Sequence, residues 1–243
     1  MDQFSVPGLY QGYDRIAFGG YVAGRLAEGV ASKAVRVDFR GPVPVETAVV
    51  RAGLDGGGVE LRHADGRVLA IAVPAAGLAD TAPPAPPTLA EAARAAQALR
   101  DATPPEEAGP DCFGCGFGRT ASTGLRMHCG RVENRDDVVA CDWTPDAAHA
   151  GPDGTVAPEL VWGALDCPGN WAGRLLGSQR VGAMTASLTA TLPRPVRAGE
   201  PHVVYAWVRE ESGRKHGYGM AVVAADGELC AAGEALWIDP REE

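Results

Sequence analysis

Asp166 is the residue whose setting most clearly implies chemistry. It lies in LVWGALDCPGNW (160–171), where an ionised carboxylate on an apolar helical stretch is costly unless it is paired or hydrogen-bonded. Burial of this kind raises a carboxyl pKa, which suits a general base. The same side chain has a second possible role, because an aspartate ahead of Cys167-Pro168-Gly169 can cap the turn that the proline forces. Gly19-Gly20, with Tyr21 behind them, open an earlier helical segment. Glycines there let the backbone approach a ligand and leave N–H groups free at the positive end of a helix dipole. A tight strand-to-helix turn that needs glycine is the other reading.

CFGCG (112–116) and GLRMHC (124–129) introduce a different chemistry. Cys112, Cys115, His128 and Cys129 are residue types that hold tetrahedral zinc. The last two are adjacent, however, and adjacent ligands rarely converge on one ion without a distorted backbone. A structural turn with partly buried thiols and no metal is therefore expected, with zinc binding and redox activity as alternatives. The six cysteines are scattered and accompany no export signal at MDQFSVPGLYQGYDR, so reduced thiols and a cytoplasmic location are expected.

Elements to position these residues are supplied twice over. Residues 18–73 and 157–238 each offer a helical segment, a strand ending at a proline-marked turn, further strands, and a hairpin turned by Ala-Asp-Gly (Ala64-Asp65-Gly66 and Ala225-Asp226-Gly227). Such long-period self-similarity implies two like units. In the first, the spacing predicts a strand over 15–18, a helix from Gly19-Gly20 to about Gly29, and strands over 34–39, 48–52, 59–62 and 68–73. In the second it predicts strands over 125–132 and 138–143, a helix over 158–176 that Pro168-Gly169 must kink or break, and strands over 183–192, 202–209, 217–224 and 229–238.

The expected organisation is an N-terminal repeat over 1–80, a proline-rich linker over 81–111 and a C-terminal repeat over 112–243. Thr88 and Glu91 form a capping-box pattern in the linker, which predicts a short helix packed outside the sheet. One helix followed by several antiparallel strands, twice, gives an α+β fold of two central helices, each wrapped by a curved antiparallel sheet. Joining the two units removes a sheet edge that would otherwise invite pairing.

The bulk composition is that of an ordinary globule: 243 residues, 46% hydrophobic and 22% charged. No apolar run approaches the roughly 18 residues needed to span a bilayer, so no membrane partner is expected. The formal net charge of −9 argues against a nucleic-acid partner, but it leaves room for an anionic small ligand held by a local arginine cluster.

AFGGYVAGRLAEG (17–29), VWGALDCPG (161–169) and TASLTATLPRPV (185–196) together resemble the double-hotdog acyl-CoA thioesterases of the thioesterase II type. The likeness covers about two-thirds of the chain and omits the linker. It implies a tandem hotdog fold and hydrolysis of acyl-CoA or acyl-carrier thioesters. No cofactor is implied, since the CoA thioester is the substrate, and a homo-oligomer of double-hotdog units is. On the matched motifs Asp166 takes the place of the family's water-activating aspartate and Thr185 that of its water-fixing hydroxyl. Gly19, Gly20 and Tyr21 fall at the oxyanion and substrate-binding segment.

The family's third water-holding residue is a glutamine on the last strand, and that position falls on Gly233. The departure leaves the set incomplete, with Glu159 and Asn170 as possible substitutes. Glu28 is the first-repeat counterpart of Asp166. Arg174, Arg180, Arg194, Arg197 and Arg214 are candidates for the CoA phosphates, and Trp162, Trp171 and Met184 for the acyl tunnel or the core. Gly233 also motivates an alternative, a non-catalytic protein that binds acyl thioesters or lipids. A dehydratase is disfavoured, because none of the histidines at 63, 128, 149, 202 and 216 lies on a central helix.

Overall fold

The computed structural model describes residues 2–78, 82–104 and 109–241. Positions 79–81 and 105–108, at and within the expected linker, and the terminal positions 1, 242 and 243 lie outside the described residues. The first half comprises β1 (Asp2–Ser5), β2 (Gln11–Tyr13), β3 (Ile16–Ala17), α1 (Gly19–Ala27), β4 (Ala34–Phe39), β5 (Ala48–Gly53), β6 (Val59–His63) and β7 (Val68–Pro74). After α2 (Leu89–Ala102) follow β8 (Gly130–Arg131), β9 (Val139–Trp143), α3 (Pro158–Ala164), α4 (Cys167–Leu175), β10 (Met184–Thr191), β11 (His202–Ser212), β12 (Lys215–Ala224) and β13 (Leu229–Ile238).

One antiparallel sheet of eleven strands runs β1-β5-β6-β7-β4-β10-β13-β12-β11-β9-β8. The two halves join where β4 pairs with β10, from Ser187 opposite Asp38 to Thr191 opposite Ala34. Edge pairing of this kind satisfies backbone groups that each half alone would expose. Inside the curve, α1 packs on β4, β6 and β7, α4 packs on β9, β11 and β12, and α1 lies against α3. The fold is the tandem hotdog, two central helical segments each wrapped by antiparallel strands.

The linker helix α2 begins at the expected place. The Thr88 hydroxyl accepts from the Glu91 amide while the Glu91 carboxylate accepts from the Thr88 amide, a complete capping box. Its alanine face (Ala92, Ala95) packs outside the sheet on Val132, Val138, Ala140, Val203 and Tyr205. Among the described residues no helix is long and apolar enough to cross a membrane.

Three expectations change. The strand expected over 125–132 shortens to Gly130–Arg131: Arg126 is left-handed (φ 57°), and the amides of Leu125 and Met127 donate to the carbonyls of Phe113 and Gly114 instead of a neighbouring strand. The strand over 15–18 shortens to Ile16–Ala17, which pairs with β2 and bridges to Pro44 outside the main sheet, and Arg15 before it is also left-handed (φ 58°). An N-terminal edge strand, β1, pairs with β5 where none was expected.

Candidate active site

The helix expected over 158–176 breaks between α3 and α4, leaving Leu165 and Asp166 in the break. Pro168 has no N–H with which to continue the ladder of α3, yet it fits in the first turn of a new helix. The break turns Asp166 inward. Its side chain makes no capping bond, which removes the capping alternative. Instead Oδ2 accepts the Gly20 amide and Oδ1 accepts the Thr185 hydroxyl, each at 2.7 Å.

Asp166 is only 2% exposed. Loss of water pushes its pKa up to about 7; a nearby negative charge on Cys112 adds to this, while the Thr185 and Gly20 hydrogen bonds pull the other way. A carboxyl so placed changes charge near neutrality, as a general base should.

Gly20 lies where α1 and α3 cross. A Cβ there would sit 2.7 Å from the Gly163 Cα and 2.9 Å from the Asp166 Cβ, so only glycine lets the helices close on the carboxylate. Further along the contact, a Cβ on Gly24 would overlap the Cα of Glu159, and the two helices therefore run antiparallel. The expected pair of free glycine amides is thus divided. Gly20's amide is committed to Asp166, whereas that of Gly19 has no hydrogen-bond partner among the described residues. Tyr21 turns away from Asp166; its ring stacks on Tyr10 (centroids 4.1 Å apart, planes at 9°).

Both proposed substitutes for the glutamine have partners of their own. Glu159 lies in the first turn of α3 and faces Arg25 at 4.0 Å; it stands seven positions before Asp166, about 10 Å of rise were all of it helical. The Asn170 side chain accepts from Gln179 Nε2 at 2.7 Å. Gly233 is buried, and a Cβ there would lie 3.1 Å from the Thr189 carbonyl oxygen and 3.4 Å from Leu165 Cδ1. Leu165 therefore occupies the space a longer side chain would need. Glu28 is 39% exposed and faces Arg25 and Arg51, and partial burial raises its pKa, so the first-half counterpart of Asp166 is a half-exposed, ion-paired carboxylate.

The thiols differ from expectation too. His128 and Cys129 do not join Cys112 and Cys115. The His128 ring stacks on Phe117 at 4.2 Å and burial lowers its pKa to about 4, while Cys129 Sγ meets Cys141 Sγ at 3.2 Å. The third member of the cluster is Cys167, next to Asp166: the sulfurs of Cys112, Cys115 and Cys167 all lie within 4.8 Å of one another. Thiol hydrogen bonds with Cys115 and Cys167 draw the Cys112 pKa down, and bonds with Cys112 and Cys115 push that of Cys167 up.

Tyr13, which the sequence did not single out, completes the rim. Its hydroxyl donates to the Ala183 carbonyl at 3.1 Å, just ahead of β10. Burial, then the charges of Cys167, Cys112, Cys115 and Asp166, raise its pKa to about 12. It therefore stays a neutral phenol beside the carboxylate.

Trp162 and Trp171 are core residues and Met184 is exposed. Among the candidate phosphate-binding arginines, Arg180 pairs with Asp239 and Arg194 with Asp226. Arg197 and Arg214 donate to the carbonyls of Asp153 and Asp239. Arg174 lies over the Trp171 ring at 5.3 Å.

No family model matches the sequence, and no curated protein matches it either. Solved structures do. A tesB protein of Mycobacterium avium subspecies paratuberculosis aligns over 98% of this chain and 93% of its own, at 16% identity and a TM-score of 0.59. A protein of unknown function with a hot dog fold from Alicyclobacillus acidocaldarius aligns over 99% and 93%, at 12% identity and a TM-score of 0.58. A shorter alignment, to a thioesterase superfamily protein, covers 46% of this chain and 52% of that one, at 26% identity and a TM-score of 0.41. The whole-chain likenesses show the fold, a double hotdog.

Proposed function

We propose that the protein hydrolyses acyl thioesters, with acyl-CoA or an acyl-carrier thioester as substrate and Asp166 as the base that activates water. The observation that carries this reading is the convergence of the Gly20 amide and the Thr185 hydroxyl on one buried carboxylate where the two halves meet. The thioesterase names borne by structures of like fold agree with it.

In this reading a water beside the hydrogen-bonded Asp166–Thr185 pair attacks the thioester carbonyl carbon. Its proton passes to Asp166. The oxyanion forms at the N-terminus of α1, where the Gly19 amide and the helix dipole stabilise it. Collapse breaks the C–S bond, and the proton returns from Asp166 to the leaving thiolate, giving a carboxylic acid and a thiol.

The test is release of free thiol from a panel of acyl-CoA substrates. Asp166→Asn, which keeps size, can still accept the Gly20 amide and can donate to a Thr185 hydroxyl turned to accept; it lowers the rate by about 10²–10⁴-fold while circular dichroism stays native. Equal rates in the variant and the native protein overturn the reading.

Gly233 supports a second reading, a non-catalytic acyl-thioester binder, because the water would lack a third holder. Calorimetric binding of acyl-CoA by native protein that releases no thiol from it establishes that reading instead.

A further inference from the structure

Three of the six cysteines come together from two distant parts of the chain. Cys112 and Cys115 lie on the loop after the linker, and Cys167 opens α4. The Cys112 and Cys167 sulfurs are 3.9 Å apart, and all three sulfurs lie within 4.8 Å of one another. Around a tetrahedral ion with metal–sulfur bonds of about 2.3 Å, sulfurs stand roughly 3.8 Å apart, so small side-chain rotations would bring all three to one centre.

The loop is shaped to reach this arrangement. A Cβ on Gly114 would lie 2.5 Å from both the Cys167 sulfur and the Phe18 ring, so glycine is what lets the Cys-x-x-Cys turn press onto the helix start. The Gly114 amide points at the Cys112 sulfur at 3.3 Å. An N–H bond of this kind supports a metal-bound thiolate and fixes its orientation, as outer-shell partners of metal ligands do.

Ordinary burial does not account for the trio. The other close pair, Cys129 and Cys141, shows what buried thiols look like here: two sulfurs 3.2 Å apart beside the Met127 thioether, with no third cysteine. Cys115, by contrast, is partly exposed, which gives an ion a way in.

We propose that Cys112, Cys115 and Cys167 form a trithiolate site for a thiophilic d10 cation, with Zn²⁺ as the physiological ion. Among the described residues no fourth His, Cys, Asp or Glu joins the group, so the fourth position of the tetrahedron is open to water or an added thiol, as in zinc sites that keep an exchangeable ligand. Because Cys167 follows Asp166 directly, the ion would also anchor the break that presents the carboxylate.

The experiment uses the full chain, reduced and metal-free, titrated with Cd²⁺ and followed by sulfur-to-metal charge-transfer absorption. One equivalent should bind with the intensity of three thiolates, and should displace one equivalent of Zn²⁺ bound beforehand. Cys167→Ser should remove about a third of the intensity and weaken binding at least tenfold, whereas Cys129→Ser should leave both unchanged. Absence of binding overturns the proposal, as does a Cys167→Ser protein that binds with native intensity and affinity.

A second measurement needs no variant. In the native chain, Zn²⁺ should slow alkylation at Cys112, Cys115 and Cys167, read by peptide mass, and leave Cys129, Cys141 and Cys230 at their metal-free rates. Unchanged rates at Cys167 overturn the proposal even where a variant fails to fold.

Discussion

The backbone amide of Gly20 donates to Asp166 Oδ2 at 2.7 Å, so the helix start of the first half holds the carboxylate of the second. The partner is apt, because the N-terminus of a helix carries partial positive charge and steadies an anion. Neither half contains the arrangement by itself. The pairing of β4 with β10 and the crossing of α1 on α3 are what bring it together.

Gly20→Ala should therefore damage stability and site together. Its Cβ would meet the Gly163 Cα at 2.7 Å and the Asp166 Cβ at 2.9 Å; these are backbone and near-backbone atoms that yield only if the helices part. The expected loss is about 1–3 kcal/mol, measured by urea denaturation, with thiol release falling further than the folded fraction does. Gly24→Ala collides with Glu159 at the other end of the same contact. It should cost similar stability while the protein that remains folded keeps most of its activity. Equal activity losses per folded molecule would show that the Gly20 contact does not position Asp166.

The pH dependence of activity follows from the burial of Asp166. A base must be ionised to accept a proton, and this carboxyl ionises at about 7. In metal-free, reduced protein kcat/KM should rise about tenfold per pH unit below that value and level off above it. A profile flat from pH 5 to 8 would remove Asp166 as the base.

The same burial has a stability consequence of opposite sense. An acid whose pKa is higher folded than unfolded binds its proton more tightly in the folded chain, so its contribution declines as pH rises from about 3.8 toward about 7. Above that range the buried charge costs on the order of 4 kcal/mol. Asp166→Asn should accordingly be more stable than native metal-free protein at pH 8, with the difference shrinking toward pH 5. Denaturant midpoints at the two pH values measure it; a difference that does not change with pH would mean the carboxyl is not shielded from water.

What the sequence made legible was chemistry written locally. Asp166 stood out because a charge interrupts an apolar helix, Pro168 announced the break, and Thr88 with Glu91 marked the start of α2. Thr185 is an unremarkable strand hydroxyl on its own, and only a family resemblance joined it to Asp166. Contacts made across the chain left no local trace. The Gly20 amide is taken by a carboxylate 146 positions away, and Cys167 meets Cys112 across 55, so a zinc set read from neighbouring residues chose His128 and Cys129 instead. The strand expected over 125–132 failed for a similar reason: Arg126 turns left-handed to follow the cysteine loop, which apolar spacing does not encode.

Gly233 offers the sharpest test of how the site differs from its relatives in fold. A Cβ there would lie 3.1 Å from the Thr189 carbonyl oxygen, on the strand paired with β13, and 3.4 Å from Leu165 Cδ1. The carbonyl cannot move without breaking strand pairing, so Leu165 must give way, and Leu165 adjoins Asp166. Gly233→Gln alone should lose about 1–3 kcal/mol and gain no turnover, because the displaced leucine shifts the carboxylate. Adding Leu165→Val removes the crowding methyl groups. The double variant should then be more stable than the two single losses predict, by a coupling of about 0.5–3 kcal/mol, and should release thiol faster than Gly233→Gln. Additive stabilities would mean that Leu165 is not what fills the glutamine's place.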